Sequence, residues 1–167
     1  SNNDTIDFWY FNNENNGLSS VYDNPEWDYL PKQHTTVKTI TLDKYCEKNK
    51  IDHIDFLKID VEGADIDVLI GANDMLKKGA IKFIQMEYSP HYKLGDHTFM
   101  KALDLFDSHG YKVLDLSGEE VKKDNFIEDY RLDNFLVKRM DITEDWNGEF
   151  KMNTKGMKFD FALEIGA

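Results

Sequence analysis

Two apolar runs, residues 54–59 and 81–88, interrupt an otherwise polar chain. The first is followed by Asp60, Glu62 and Gly63, and then apolar residues recur at Ile66, Leu69, Ala72 and Leu76. That spacing is helical, so the pattern predicts a buried strand turning directly into a helix. Lys77, Lys78 and Gly79 supply a stop, with cations at the negative helix end and a glycine free to take positive φ. The second run predicts another buried strand, ending in Glu87-Tyr88-Ser89-Pro90-His91-Tyr92. Strand, helix and strand in so short a stretch imply a parallel crossover, and hence an α/β sheet covered by helices.

The flanking patterns are weaker. Residues 5–11 are aromatic and β-branched, which suits an antiparallel strand or a lid-forming hairpin. The Asn-rich cluster 12–17 reads as turns. Residues 35–42 alternate, with Val37, Ile40 and Leu42 as markers, and read as a strand or an extended approach to a short helix at 43–48, ended by Asn49 and Lys50. Phe99, Leu103 and Phe106 mark a covering helix within 97–109, stopped by Gly110. Residues 111–116 and 135–139 are further strands, and the charged stretch 117–130 between them is expected to face solvent. Residues 141–149 read as a linker, and 157–167 as a new apolar segment ending in Glu164-Ile165-Gly166-Ala167.

Composition narrows the class of partner. A chain of 167 residues with 41% hydrophobic content is long enough for a domain with a core. Its formal charge of −12 disfavours a nucleic-acid surface and suits neutral or cationic small molecules. Cys46 is the single cysteine, which excludes an internal disulfide framework and a cysteine-based zinc site. No run is long enough for a membrane span, and no basic-then-apolar signal pattern is present, so no membrane partner and a cytoplasmic location are expected.

In open α/β sheets, ligands sit outside the carboxyl ends of strands. Asp60, Glu62, Glu87 and His91 fall at two such ends. Clustered carboxylates raise one another's pKa towards that of a useful general base, and His91 starts nearest neutrality. Other roles compete: Asp60 as a helix cap, Glu62 as an acid in the first turn, His91 as an exposed loop residue. The same oxygen-rich set suits Mg²⁺ or Mn²⁺, a possibility that is not favoured over a metal-free site. Ser19, Ser20, Tyr22 and Trp27 either line a cleft or cover the core. Tyr88 and Tyr92 either stack on a planar acceptor or pack inside, and strand alternation places Tyr88 in the core.

Leu57-Lys-Ile-Asp-Val-Glu-Gly-Ala-Asp65, with Thr41-Leu-Asp43 before it and Leu69-Ile-Gly-Ala72 after it, resembles the signature of FkbM-type methyltransferases. The resemblance continues through residues 81–88 and 110–114 to 134–138. It implies a partial Rossmann-like class I methyltransferase sheet, mostly parallel and closed by an antiparallel hairpin, over residues 1–139. Residues 140–167 are then a linker and tail. It implies S-adenosyl-L-methionine as cofactor and O-methylation of a sugar or small metabolite, with Asp60, Glu87 and His91 catalytic. Asp60, Glu62 and Gly63 would meet the cofactor. The family's opening strand and acid-x-Gly-x-Asn-x-Gly loop do not stand upstream of residue 1, so the domain is expected to lack its first strands. Residues 159–165 resemble that strand, and folding back beside 56–60 would bring Glu164 and Gly166 to the cofactor's methionine end. The competing expectation is a non-catalytic module that self-associates or is completed by another chain.

Overall fold

The computed structural model describes residues 5–11, 19–28 and 31–142 and the backbone of 162–166. Along the chain come β1 (Thr5–Phe11), β2 (Lys32–Lys38), α1 (Leu42–Asn49), β3 (Ile54–Asp60), α2 (Asp65–Gly71) and α3 (Asn73–Lys77). They are followed by β4 (Ile81–Tyr88), α4 (Phe99–Ser108), β5 (Tyr111–Leu114), β6 (Glu120–Val121), β7 (Asp133–Arg139) and β8 (Ala162–Gly166). Short 3₁₀ turns occupy Pro25–Trp27 and Pro90–Gly95. The turn cluster 12–17, most of the linker and residues 159–161 lie outside the described residues.

The fold is α/β, with a six-stranded sheet in the order β6-β5-β7-β4-β3-β8 and a separate antiparallel β1–β2 hairpin. The sheet is mixed rather than mostly parallel. β3 pairs in parallel with β4 and β8, whereas β4–β7, β5–β7 and β5–β6 are antiparallel. The cause is β7, which inserts between β4 and β5 against their direction. Ala162–Gly166 fills the position beside the central strand, with Leu57 level with Leu163 and Asp60 level with Gly166.

Ile54, Leu57, Ile59, Ile81, Ile84 and Met86 are buried, and α2, α3 and α4 lay Leu69, Leu76, Ala102 and Phe106 on them. Each such aliphatic side chain contributes on the order of 2 kcal/mol from lost water contact. Cys46 is buried in α1, and burial pushes its thiol pKa up, which makes it an inert core residue. Among the described residues no helix is long and apolar enough to cross a membrane.

The alternating stretch 35–42 is strand to Lys38 and then the approach to α1, which Thr41 caps by accepting the Lys44 N–H and Leu42 opens. Two expectations need correction. The helix expected through 66–76 breaks at Ala72, because the Asp43 carboxylate accepts the backbone N–H groups of Asp74 and Met75 and so starts α3 separately. The stretch 117–130 is not merely a solvated face. Phe126 packs on Phe99 with ring centroids 4.9 Å apart, and Glu128 accepts the Phe99 and Met100 N–H groups at the start of α4.

Candidate functional site

β3 and β4 run in parallel with Ile59 level with Met86, so Asp60 and Glu87, each one residue further on, finish at the same end of the sheet. Lys58 pairs with Asp60 at 3.1 Å. Asp60 is not a helix cap, since α2 begins only at Asp65 with Ala64 in the cap position. Burial pushes the Glu87 carboxyl up to about 7, and the charges of Asp60 and Glu62 push the same way.

The loop from β3 to α2 is held in a shape few sequences allow. Glu62 has φ 52° and Gly63 φ 100°. A Cβ at Gly63 would lie 2.5 Å from the His91 carbonyl oxygen, so glycine lets the loop press against the turn after β4. The contact puts the Glu62 carboxylate within reach of His91, whose Nδ1 lies 2.8 Å from Glu62 Oε2. Both side chains are largely covered, 15% and 19% exposed. The bond to Glu62 raises the His91 pKa against the opposing effect of burial. Trp27 stands edge-on to His91 at 4.9 Å, and Ser20 donates from Oγ to the Glu62 carbonyl at 3.0 Å.

The segment 19–28 therefore touches the Glu62–His91 pair directly. Asp60, Glu62, Gly63, Glu87 and His91 come together at one sheet end, with Gly166 beside Asp60 on β8. Glu164 is level with Lys58 in the register, and its side chain lies outside the described residues. Tyr88 and Tyr92 are fully buried. Tyr88 Oη accepts the Tyr130 N–H, and Tyr92 donates to the Glu87 carbonyl at 2.8 Å. Neither is available to stack on an acceptor. Among the described residues no group of three or more His, Cys, Asp or Glu is arranged to hold a metal ion.

Sequence reasoning missed two features. Asp65 is 2% exposed, and its Oδ1 has no hydrogen-bond partner. Burial, opposed by backbone N–H groups of Asp65 and Gly63, pushes its carboxyl up to about 7. The available signal was its position four residues before Leu69, on the buried stripe of α2. The second is a network in which Tyr22 Oη donates to Asp67 Oδ2 while His97 Nε2 lies 3.1 Å from the same oxygen. It borders a cavity of about 900 Å³ beneath the β1–β2 hairpin, against α1 and the start of α2. Ser20, Val61 and Ala64 line this cavity and connect it with the strand-end loop; Asp60, Glu87 and His91 are not in its wall.

No curated protein and no solved structure matches the chain. A family model does, that of the methyltransferase FkbM domain, over residues 2–113. The match spans more than half of the 167 residues and takes in the loop of Glu62 and Gly63 and both strand ends. The chain therefore belongs to the FkbM methyltransferase family.

Proposed function

We propose that the protein is an S-adenosylmethionine-dependent O-methyltransferase, built on a Rossmann-like class I sheet, whose acceptor is a hydroxyl of a sugar or another small metabolite. The observation that carries this reading is a carboxyl pushed up to about 7, Glu87, next to a carboxylate–imidazole pair where two parallel strands end. A group poised near neutrality is what removal of a hydroxyl proton requires.

The residues present suit the cofactor. Asp60, Glu62 and Glu87 give this sheet end an acidic character that matches a sulfonium and an ammonium, and Gly166 lies level with Asp60 with no side chain in the way. Asp60, Glu62, Gly63, Glu164 and Gly166 are the residues that would hold it. When bound, S-adenosylmethionine supplies a methyl group on a positively charged sulfur. The chain's own part would be to align an acceptor oxygen with that methyl group and to take up the proton the oxygen sheds. The hydroxyl proton passes to the ionised Glu87 carboxylate, with His91 as the neighbouring relay held by Glu62. Trp27 covers the pair and limits water. An acidic chain with one cysteine suits a small-molecule acceptor and the reducing cytoplasm.

Calorimetric titration with S-adenosylhomocysteine tests the cofactor half of this reading. Saturable binding is expected, and no heat at millimolar ligand would favour a non-catalytic module. Transfer of labelled methyl to a panel of sugars and small alcohols tests the other half.

A further inference from the structure

The cavity beneath the β1–β2 hairpin has mainly apolar walls, from Phe8, Val37, Ile40, Tyr45 and Val68 among others, and one carboxylate, Asp67. Three of the exposed large hydrophobic residues gather there: Ile6, Ile40 and Tyr45, at 39%, 52% and 38% exposure. Apolar side chains left in water around a cavity mark a binding surface more often than chance placement.

The network around Asp67 decides which ligand fits. Tyr22 donates to Asp67 Oδ2, and His97 Nε2 lies 3.1 Å from that oxygen and 3.3 Å from Tyr22 Oη. His97 Nδ1 is buried with no partner among the described residues, so the neutral tautomer that strands no buried donor carries its proton on Nε2 and donates to Asp67. Burial and then Asp67 push the Tyr22 phenol well above its ordinary range, so it keeps its proton. Tyr22 and His97 together hold the Asp67 carboxylate in place, and among the described residues no Lys or Arg is paired with it. Gly95 secures the arrangement, because a Cβ there would lie 2.5 Å from Tyr22 Oη and 2.6 Å from the His97 ring. Lys38 also lines the cavity but is solvent-exposed on β2, where its ammonium keeps its water.

We infer that this cavity binds a small organic cation, an amine carried on an aromatic or other apolar body, with Asp67 as its counter-charge. The rings of Phe8, Tyr22 and Tyr45 add faces that attract such a cation, and the formal charge of −12 favours its approach. Identifying the bound molecule, through a hydroxyl it carries, as the methyl acceptor rests on the methyltransferase reading, because the cavity reaches the Glu62 loop through Ser20, Val61 and Ala64. The binding itself does not rest on it.

Titration of the whole chain with tyramine, followed by calorimetry and by NMR shifts of the cavity residues, tests the inference. The control is 4-ethylphenol, which keeps the ring and hydroxyl and lacks the amine. Saturable tyramine binding is expected, with 4-ethylphenol weaker by about tenfold or more and Asp67→Asn losing about the same factor. Equal binding of the two probes, or unchanged tyramine affinity in a folded Asp67→Asn variant, overturns it. If that variant fails to fold, the two probes on the native chain still decide. Tyramine binding without any binding of S-adenosylhomocysteine would keep the site and remove only its role as the acceptor pocket.

Discussion

Among the described residues two carboxylate–imidazole pairs have a largely covered imidazole, Glu62–His91 and Asp67–His97, and they differ in most other respects. Glu62 and His91 meet at 2.8 Å with both side chains mostly covered, and Asp60 and Glu87 add like charges nearby. Asp67 and His97 meet at 3.1 Å with Asp67 about half exposed at 49%, and the third member is a phenol. In the first, burial and then the neighbouring acids push the Glu87 carboxyl up to about 7, which suits moving a proton. In the second, hydrogen bonds fix one carboxylate towards a cavity, which suits holding a charge. The field around a pair, more than its residue types, decides what it does.

The largest expected effect breaks the first region. Glu87→Gln removes the titrating group with little change in shape, and methyl transfer should fall about 10²–10⁴-fold with cofactor affinity nearly unchanged. Single-turnover rates against S-adenosylhomocysteine affinity check this; a variant that transfers at the native rate would make Glu87 structural.

Gly63→Ala sharpens the comparison by attacking geometry alone. The added methyl meets the His91 backbone at 2.5 Å, and alanine resists a φ of 100°. A loss of about 3 kcal/mol is expected in urea unfolding, together with separation of His91 from Glu62. The Asp67–His97 pair is held by its own hydrogen bond and by Tyr22 and should keep its NMR signature. Stability within about 0.5 kcal/mol of native would show that the loop relaxes freely.

The remaining test is the pH dependence, which changes no residue. Glu87 and Asp65 sit at about 7 in the fold against ordinary values of 4.5 and 3.8, so the folded chain holds protons that the unfolded chain has released. This contribution is complete below those ordinary values and is lost as pH rises to 7. His91, raised above its ordinary 6.5, acts in the same direction from there upward. Stability should therefore decline from pH 5 to 8, with buried Asp65 contributing the larger share and half-buried Glu87 a smaller one because solvent screens it. Urea midpoints measure it, and Glu87→Gln should flatten part of the slope. A profile that rises over this range would contradict the shifts.

Much of this was legible in one dimension. Strand periodicity and its abrupt switch to helical spacing locate β3, β4 and the acids at their ends, because burial imposes those periods on any sequence that folds this way. The glycine after Glu62 marks a loop needing positive φ. Other features depend on contacts between distant residues. Thr41 and Asp43 end one strand and divide a helix by hydrogen bonds to backbone groups, and no hydrophobic pattern records such bonds. β7 enters between β4 and β5, so strand order and direction came from tertiary packing. The link from Glu62 to His91, the burial of Asp65, and the convergence of Tyr22, Asp67 and His97 join residues 29 to 75 apart in the chain or depend on its packing. A sequence specifies which groups can ionise or bond; desolvation and proximity, which set their pKa values and partners, exist only once the chain has folded.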